Sequence, residues 1–235
     1  MPKLKWIDDS DLVKAVEHLL NKAKEAQKQS VKKFGKNIID PFAAMFEISG
    51  FELDFKAWEK SETTRQAQKT LQNHIGEFHQ IILGSVKGWE NMKTGHVIDL
   101  VSDKNMVIAE IKNKFNTVSF GKLSELYHSL DEIVMRKSSI YKGYTAYYVP
   151  IIPKYPIRYN KEFTPSDKEK GSKCPFNENI REIDGASFYT LVTGEHYALK
   201  NLFDSLPHLI HEISGKDYAL KNKENLKEFF NTAFK

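Results

Sequence analysis

A chain of 235 residues is long enough to bury a substantial apolar interior as one domain. Its 35 basic and 31 acidic side chains leave a net charge of +4, which permits nucleic-acid binding without demanding it. Cys174 is the single cysteine, so the sequence offers no disulfide framework, no CxxC redox pair and no cysteine zinc site, and a reducing compartment fits. No run approaches the roughly 18 apolar residues of a membrane span, and Met1-Pro2-Lys3-Leu4-Lys5-Trp6 lacks the apolar stretch of a signal peptide. A soluble, cytoplasmic protein without a membrane partner is expected.

In chain order, Asp8-Asp9-Ser10-Asp11 offers caps for a helix over about 12–33, with Leu12, Val16, Leu19, Leu20 and Ala23 at core-facing spacing. Asp40-Pro41 opens a short helix that Ser49-Gly50 ends. The longest helical pattern covers 61–86, its stripe formed by Leu71, Ile75, Phe78, Ile81 and Ile82. His74 and His79 are five apart, which does not place them as a zinc pair on one helical face. After a hairpin described below, 121–136 reads as a crossover helix and 144–152 as a buried strand. The segment 153–179, with Pro153, Pro156, Pro165 and Pro175, reads as irregular. Strand character is expected over 180–192, broken at Gly185, then a helix over 195–213 interrupted or kinked by Pro207, and a last helix over 222–234. His208 and His211 beside that proline read as surface or capping residues.

The stretch from Gly95 to Thr117 organises the rest. Val97 to Val101 and Met106 to Ile111 have strand length and branched content, and Ser102-Asp103-Lys104-Asn105 supplies a turn. A turn centred on Lys104-Asn105 sets Asp99 opposite Glu110, with Cβ atoms about 4.5–5.5 Å apart. The period of two puts Lys112 on the same face and sends Ile111 into the core. Two facing carboxylates repel and invite a cation, and hard oxygen ligands with room for water suit Mg²⁺.

Asp99, ten intervening residues, then Glu110-x-Lys112 resembles the signature of the PD-(D/E)xK nuclease fold, with Ile98 where that signature has proline. Further runs carry a closer likeness: Phe51-Glu52-Leu53-Asp54-Phe55-Lys56-Ala57-Trp58, Arg65-Gln66-Ala67-Gln68-Lys69, Ile75-Gly76-Glu77-Phe78-His79-Gln80, Gly88-Trp89-Glu90, Glu110 to Thr117, and Arg181-Glu182-Ile183-Asp184-Gly185. Together they resemble the type II restriction endonucleases that cut within GGNCC. The resemblance implies an α/β protein with a PD-(D/E)xK restriction-endonuclease-like core, a mixed β-sheet flanked by helices. It implies one nuclease domain over 1–235, with an N-terminal helical part (1–60), a catalytic core (61–152), and a loop, strand and C-terminal helices (153–235). It also implies a Mg²⁺-dependent deoxyribonuclease acting on double-stranded DNA at a palindrome, with a cognate DNA methyltransferase as functional partner.

On that reading Asp99 and Glu110 are catalytic carboxylates that hold the metal with the backbone carbonyl of Ile111, and Lys112 orients or deprotonates the attacking water. Glu77, on the preceding helix, is a further candidate ligand. Reading G and C needs donors toward guanine and acceptors toward cytosine, and arginine is scarce, so Arg158, Arg181, Lys114 and Asn116 are the expected DNA contacts. A palindromic target predicts a two-fold homodimer. The competing readings are another nuclease of the same fold and a catalytically silent DNA-binding protein. No GxxxxGK[ST] or GxGxxG phosphate loop is present.

Overall fold

The computed structural model describes residues 4–92 and 97–234. Met1 to Lys3 and, at the head of the hairpin stretch, Gly95 and His96 lie outside them. The chain divides into two compact units, one of residues 17–77 and one of residues 1–16 with 78–235.

The first unit is helical. It takes the later part of α1 (Asp9–Lys33), a single 3-10 turn (Phe34–Lys36), α2 (Pro41–Gly50) and the earlier part of α3 (Phe55–Gly84). Asp40 caps α2 as its sequence predicts, accepting from the amides of Phe42 at 2.9 Å and Ala43 at 3.2 Å, with Pro41 in the first helical position. Trp58 is buried, donates from Nε1 to Glu47 at 2.8 Å and meets the edge of Phe34. Helix α3 starts six residues before the expected Ser61, because Asp54 accepts from the Ala57 amide at 2.7 Å and so caps it.

The second unit is a six-stranded mixed sheet flanked by helices, in the order β1 (Glu90–Asn91), β2 (Leu100–Ser102), β3 (Val107–Lys114), β4 (Thr145–Ile152), β8 (Ile180–Ile183), β5 (Asn160–Glu162). Strands β2 and β3 form the expected hairpin, Leu100 opposite Ala109 and Ser102 opposite Val107. Strand β4 runs parallel to β3 because α4 (Phe120–Met135) returns the chain between them, as a crossover helix must. Every second residue therefore faces α4. Ile108, Ala146, Tyr148 and Ile180 pack there with Tyr127, Leu130 and Val134 of the helix, all of them buried.

Behind the sheet sits α5 (Gly185–Thr193), and here the strand expected over 180–192 is corrected. Pairing stops at Ile183, since Asp184 turns to accept the Ser187 amide at 3.0 Å and starts a helix. The apolar run that reads as strand is one helix face, with Phe188, Tyr189 and Val192 buried and Phe188 in ring contact with Trp89 and Tyr147. Pro207 lies inside α6 (Ala198–Ser214), which runs on past it. The segment 153–179 carries β5 and a separate hairpin of β6 (Ser166–Asp167) and β7 (Ser172–Lys173). The chain ends in α7 (Tyr218–Lys221) and α8 (Lys223–Ala233). No helix among the described residues is long and apolar enough to cross a membrane.

Candidate active site

The hairpin register builds the site. Continuing the pairing of Leu100 with Ala109 by one step sets Asp99 against Glu110, and the backbone holds it there: the Asp99 amide donates to Ala109 O at 2.8 Å, and Met92 donates to Asp99 O at 2.9 Å. The Asp99 carboxylate turns back on the partner strand, where Oδ2 accepts the Ile111 amide at 2.6 Å. That bond fixes the orientation of the carboxylate. The Lys112 ammonium, two residues along the same strand, donates to Glu110 Oε1. Ile111 between them is buried on the opposite face.

The electrostatics follow from this placement. Burial raises the Asp99 carboxyl above its usual range, against the Ile111 amide, Lys112 and a side-chain hydrogen bond from Gln80, each of which lowers it. Burial, and after it the charge of Asp99, pushes Glu110 up to about 7. The two carboxyl groups repel each other, and a proton held by one of them relieves the repulsion. The lysine on Glu110 is the only cation paired with either carboxylate among the described residues. A pair of partly buried carboxylates held this way is suited to a hard divalent cation, which would relieve their repulsion in place of a proton and the lysine contact.

Gln80 enters the sequence reading only as the end of the run from Ile75, with no role given to it. It sits on α3 and bonds Asp99. Glu77, one turn earlier on the same helix, belongs to the helical unit, where its carboxylate meets His74 Nδ1 at 2.9 Å and His18 Nε2 at 3.6 Å. An i, i+3 search around Glu77 would have found Gln80, but nothing in the pattern ranks an amide as a partner for Asp99. His79 is half-buried, with Nδ1 2.8 Å from the Tyr189 hydroxyl, and desolvation lowers its pKa to about 4.

The four expected DNA contacts divide. Lys114 and Asn116 are exposed at the end of β3 and in the turn after it, continuing the strand that carries Glu110 and Lys112. Arg158 instead spends its guanidinium on the α5 region: Nε donates to Ser187 Oγ at 3.3 Å, Nη2 to Ala186 O at 2.8 Å and to Thr190, and Nη1 to His196 O at 3.1 Å. Arg181 donates to Asn160 through Nε at 2.6 Å and Nη2 at 3.0 Å.

Comparison with known proteins agrees with this architecture. The family model of the Eco47II restriction endonuclease matches residues 4–214. The chain is 47% identical to the type II restriction enzyme Eco47II of Escherichia coli, over the whole of both chains. It is 32% identical to the type II restriction enzyme Sau96I of Staphylococcus aureus, over 87% of this chain and 78% of that protein. The chain belongs to the Eco47II restriction endonuclease family.

Proposed function

We propose that this chain is a type II restriction endonuclease that hydrolyses phosphodiester bonds of double-stranded DNA at a GGNCC-like palindrome, with Mg²⁺, in the bacterial cytoplasm. The observation that carries the reading is the register-locked juxtaposition of Asp99, Glu110 and Lys112 in a chain matched to restriction enzymes along its full length.

Asp99, Glu110 and the carbonyl of Ile111 would hold the metal, which when bound neutralises charge at the scissile phosphate and acidifies water. Asp99 is kept in place by the Ile111 amide and Gln80. Lys112, released from Glu110, would orient the attacking water and, as the ammonium, stabilise the charge that develops on the phosphoryl oxygens; to take the water's proton it must first give one of its own to solvent. Attack and in-line departure would leave 5′-phosphate and 3′-hydroxyl ends. Lys114 and Asn116 approach the DNA from the end of the same strand, while Arg158 and Arg181 reach it only by giving up part of their present hydrogen bonding. Glu77 joins the metal only by leaving His18 and His74. A homodimer matches the symmetry of a palindrome, and a cognate methyltransferase protects the host's own sites.

The test is digestion of a plasmid of known sequence with and without Mg²⁺, followed by run-off sequencing of the ends. Discrete fragments that require the metal and terminate within GGNCC are expected. Non-discrete degradation would move the assignment to another nuclease of the same fold, and DNA binding without any metal-dependent nicking would leave a silent binding protein.

A further inference from the structure

A second cluster, of residues the carboxylate pair does not use, gathers where α4 meets the β6–β7 hairpin. His128 of α4, Asp167 of β6 and Cys174, just after β7, each bring one potential ligand atom to within 4.8 Å of the others. His128 Nε2 and Asp167 Oδ2 are 3.1 Å apart. Asp167 Oδ1 is occupied by the amides of Glu169 at 3.1 Å and Lys170 at 3.3 Å, which orients the carboxylate and leaves Oδ2 toward the cluster. The Cys174 thiol is 4% exposed and makes no hydrogen bond to another residue among the described ones, although its amide is anchored to Pro165 O at 2.8 Å. His128 is 43% exposed, so water has access from that side.

The local fold gives such a site a purpose. Two strands of two residues each cannot form an independently stable sheet. Yet this hairpin is held on α4, with Tyr127 donating to Pro175 O at 2.7 Å and Asn177 donating to Asp131 at 2.9 Å. The cluster lies at the same junction.

We propose that His128, Asp167 and Cys174 bind one zinc-class divalent cation, completed by water on the exposed side, which fastens the β6–β7 hairpin to α4. Imidazole and thiolate select such an ion over Mg²⁺, whereas the all-oxygen set at Asp99 and Glu110 selects the reverse. Binding is balanced by loss of the thiol proton: the S–H bond breaks, the sulfur lone pair goes to the metal, and the proton leaves to solvent. The Nε2 proton that joins His128 to Asp167 leaves to solvent while Nδ1 carries the ring's remaining proton, so that Nε2 and Oδ2 each bond to the metal, and Lys170 Nζ, 3.7 Å from Asp167 Oδ2, is displaced into solvent.

The test uses the full chain stripped of metal and titrated with Co²⁺ in excess Mg²⁺. One equivalent should bind with a thiolate-to-cobalt charge-transfer band in the near ultraviolet, displaced by Zn²⁺, and Zn²⁺ should raise Tm. The band should vanish in Cys174→Ser and weaken at least tenfold in affinity in His128→Gln, while Asp99→Ala keeps it. His128 is exposed enough that His128→Gln folds even if the buried Cys174→Ser does not. A wild-type chain with no such band, or a band that survives in His128→Gln at unchanged affinity, overturns the proposal.

Discussion

Two clusters of ligand-type side chains lie in the same sheet-bearing unit, and they are assembled in opposite ways. Asp99, Glu110 and Lys112 come from one hairpin, so the pairing of neighbouring strands places them. His128, Asp167 and Cys174 come from a helix and from both ends of a separate hairpin, so only the packing of those elements brings them together. Each also has a lysine on a carboxylate. Lys112 is 28% exposed and closely paired with a carboxylate that burial has pushed up, whereas Lys170 is 63% exposed and 3.7 Å away. The first lysine compensates a partly buried carboxylate, and the second is a solvated counter-ion worth little. Local pairing thus yields a preorganised, charge-strained centre, and tertiary packing yields a relaxed one.

The largest expected difference between them is catalytic. Asp99→Ala or Lys112→Ala should lower plasmid cleavage by about 10³-fold or more, equivalent to roughly 4 kcal/mol of transition-state stabilisation, with DNA binding retained in a gel-shift assay. Cleavage within tenfold of wild type in either variant would remove the hairpin from the chemistry.

A smaller effect tests the charge strain itself. Folded Glu110 keeps its proton until about pH 7, whereas in the unfolded chain it ionises near 4.5. Between those values the native state binds more protons, so raising pH through this window destabilises the metal-free protein, by about 1–3 kcal/mol. Glu110→Gln should flatten that part of the Tm-versus-pH profile, and Mg²⁺ should restore wild-type stability at the alkaline end. His79 acts with the opposite sign: neutral in the fold down to about pH 4, it is protonated in the unfolded chain below about 6.5, so it weakens the fold as pH falls through that range. A wild-type profile whose alkaline limb persists unchanged in Glu110→Gln would argue against the strained pair.

Next comes positioning. Gln80→Ala removes a hydrogen bond to Asp99 without removing a ligand, and should reduce cleavage about tenfold, roughly 1.4 kcal/mol, chiefly by raising the Mg²⁺ concentration needed for half-maximal rate. Gln80→Glu should not simply restore it, because a third carboxylate adds repulsion. An unaltered Mg²⁺ dependence in Gln80→Ala would show that Asp99 is held by the Ile111 amide alone. The smallest effect belongs to the other cluster: Lys170→Ala should tighten Co²⁺ binding there by about two- to threefold, as expected for losing an exposed competitor.

The same contrast explains what the sequence could disclose. The hairpin, its register, the crossover helix and the parallel neighbour strand were legible because each depends on residues close in sequence and on a period of two or 3.6. Helix α5 was misread because Ser187 to Val192 is rich in aromatic and branched residues, and its true signal, Asp184 as a cap, is a single side chain that also accepts the Tyr159 amide at 2.6 Å. Gly185 marks not a break within a strand but the first turn of a helix lying against the Ile151 backbone, where a Cβ would collide. A single cysteine offers no cysteine zinc motif, and the proposed His128, Asp167 and Cys174 set, 39 and seven residues apart, has no spacing by which a pattern would find it. Arg158 was chosen for its chemistry, but no pattern in the sequence reveals that Ala186, Ser187 and Thr190 occupy its donors.

The antiparallel pairing of β2 with β3 closes over four residues, Asp103 to Met106, while β3 meets β4 only after α4 has been laid down between them. Hairpins form in about 1–10 μs, and parallel pairing across such a crossover is far slower. During folding Asp99 and Glu110 therefore meet while still hydrated, when their repulsion is slight. The cost of bringing them together falls on the later step, when Tyr148 of β4 arrives opposite Glu110 and water is expelled. Acid or a divalent cation should then speed sheet closure rather than hairpin formation, which makes the order of assembly a property of the charges on Asp99 and Glu110.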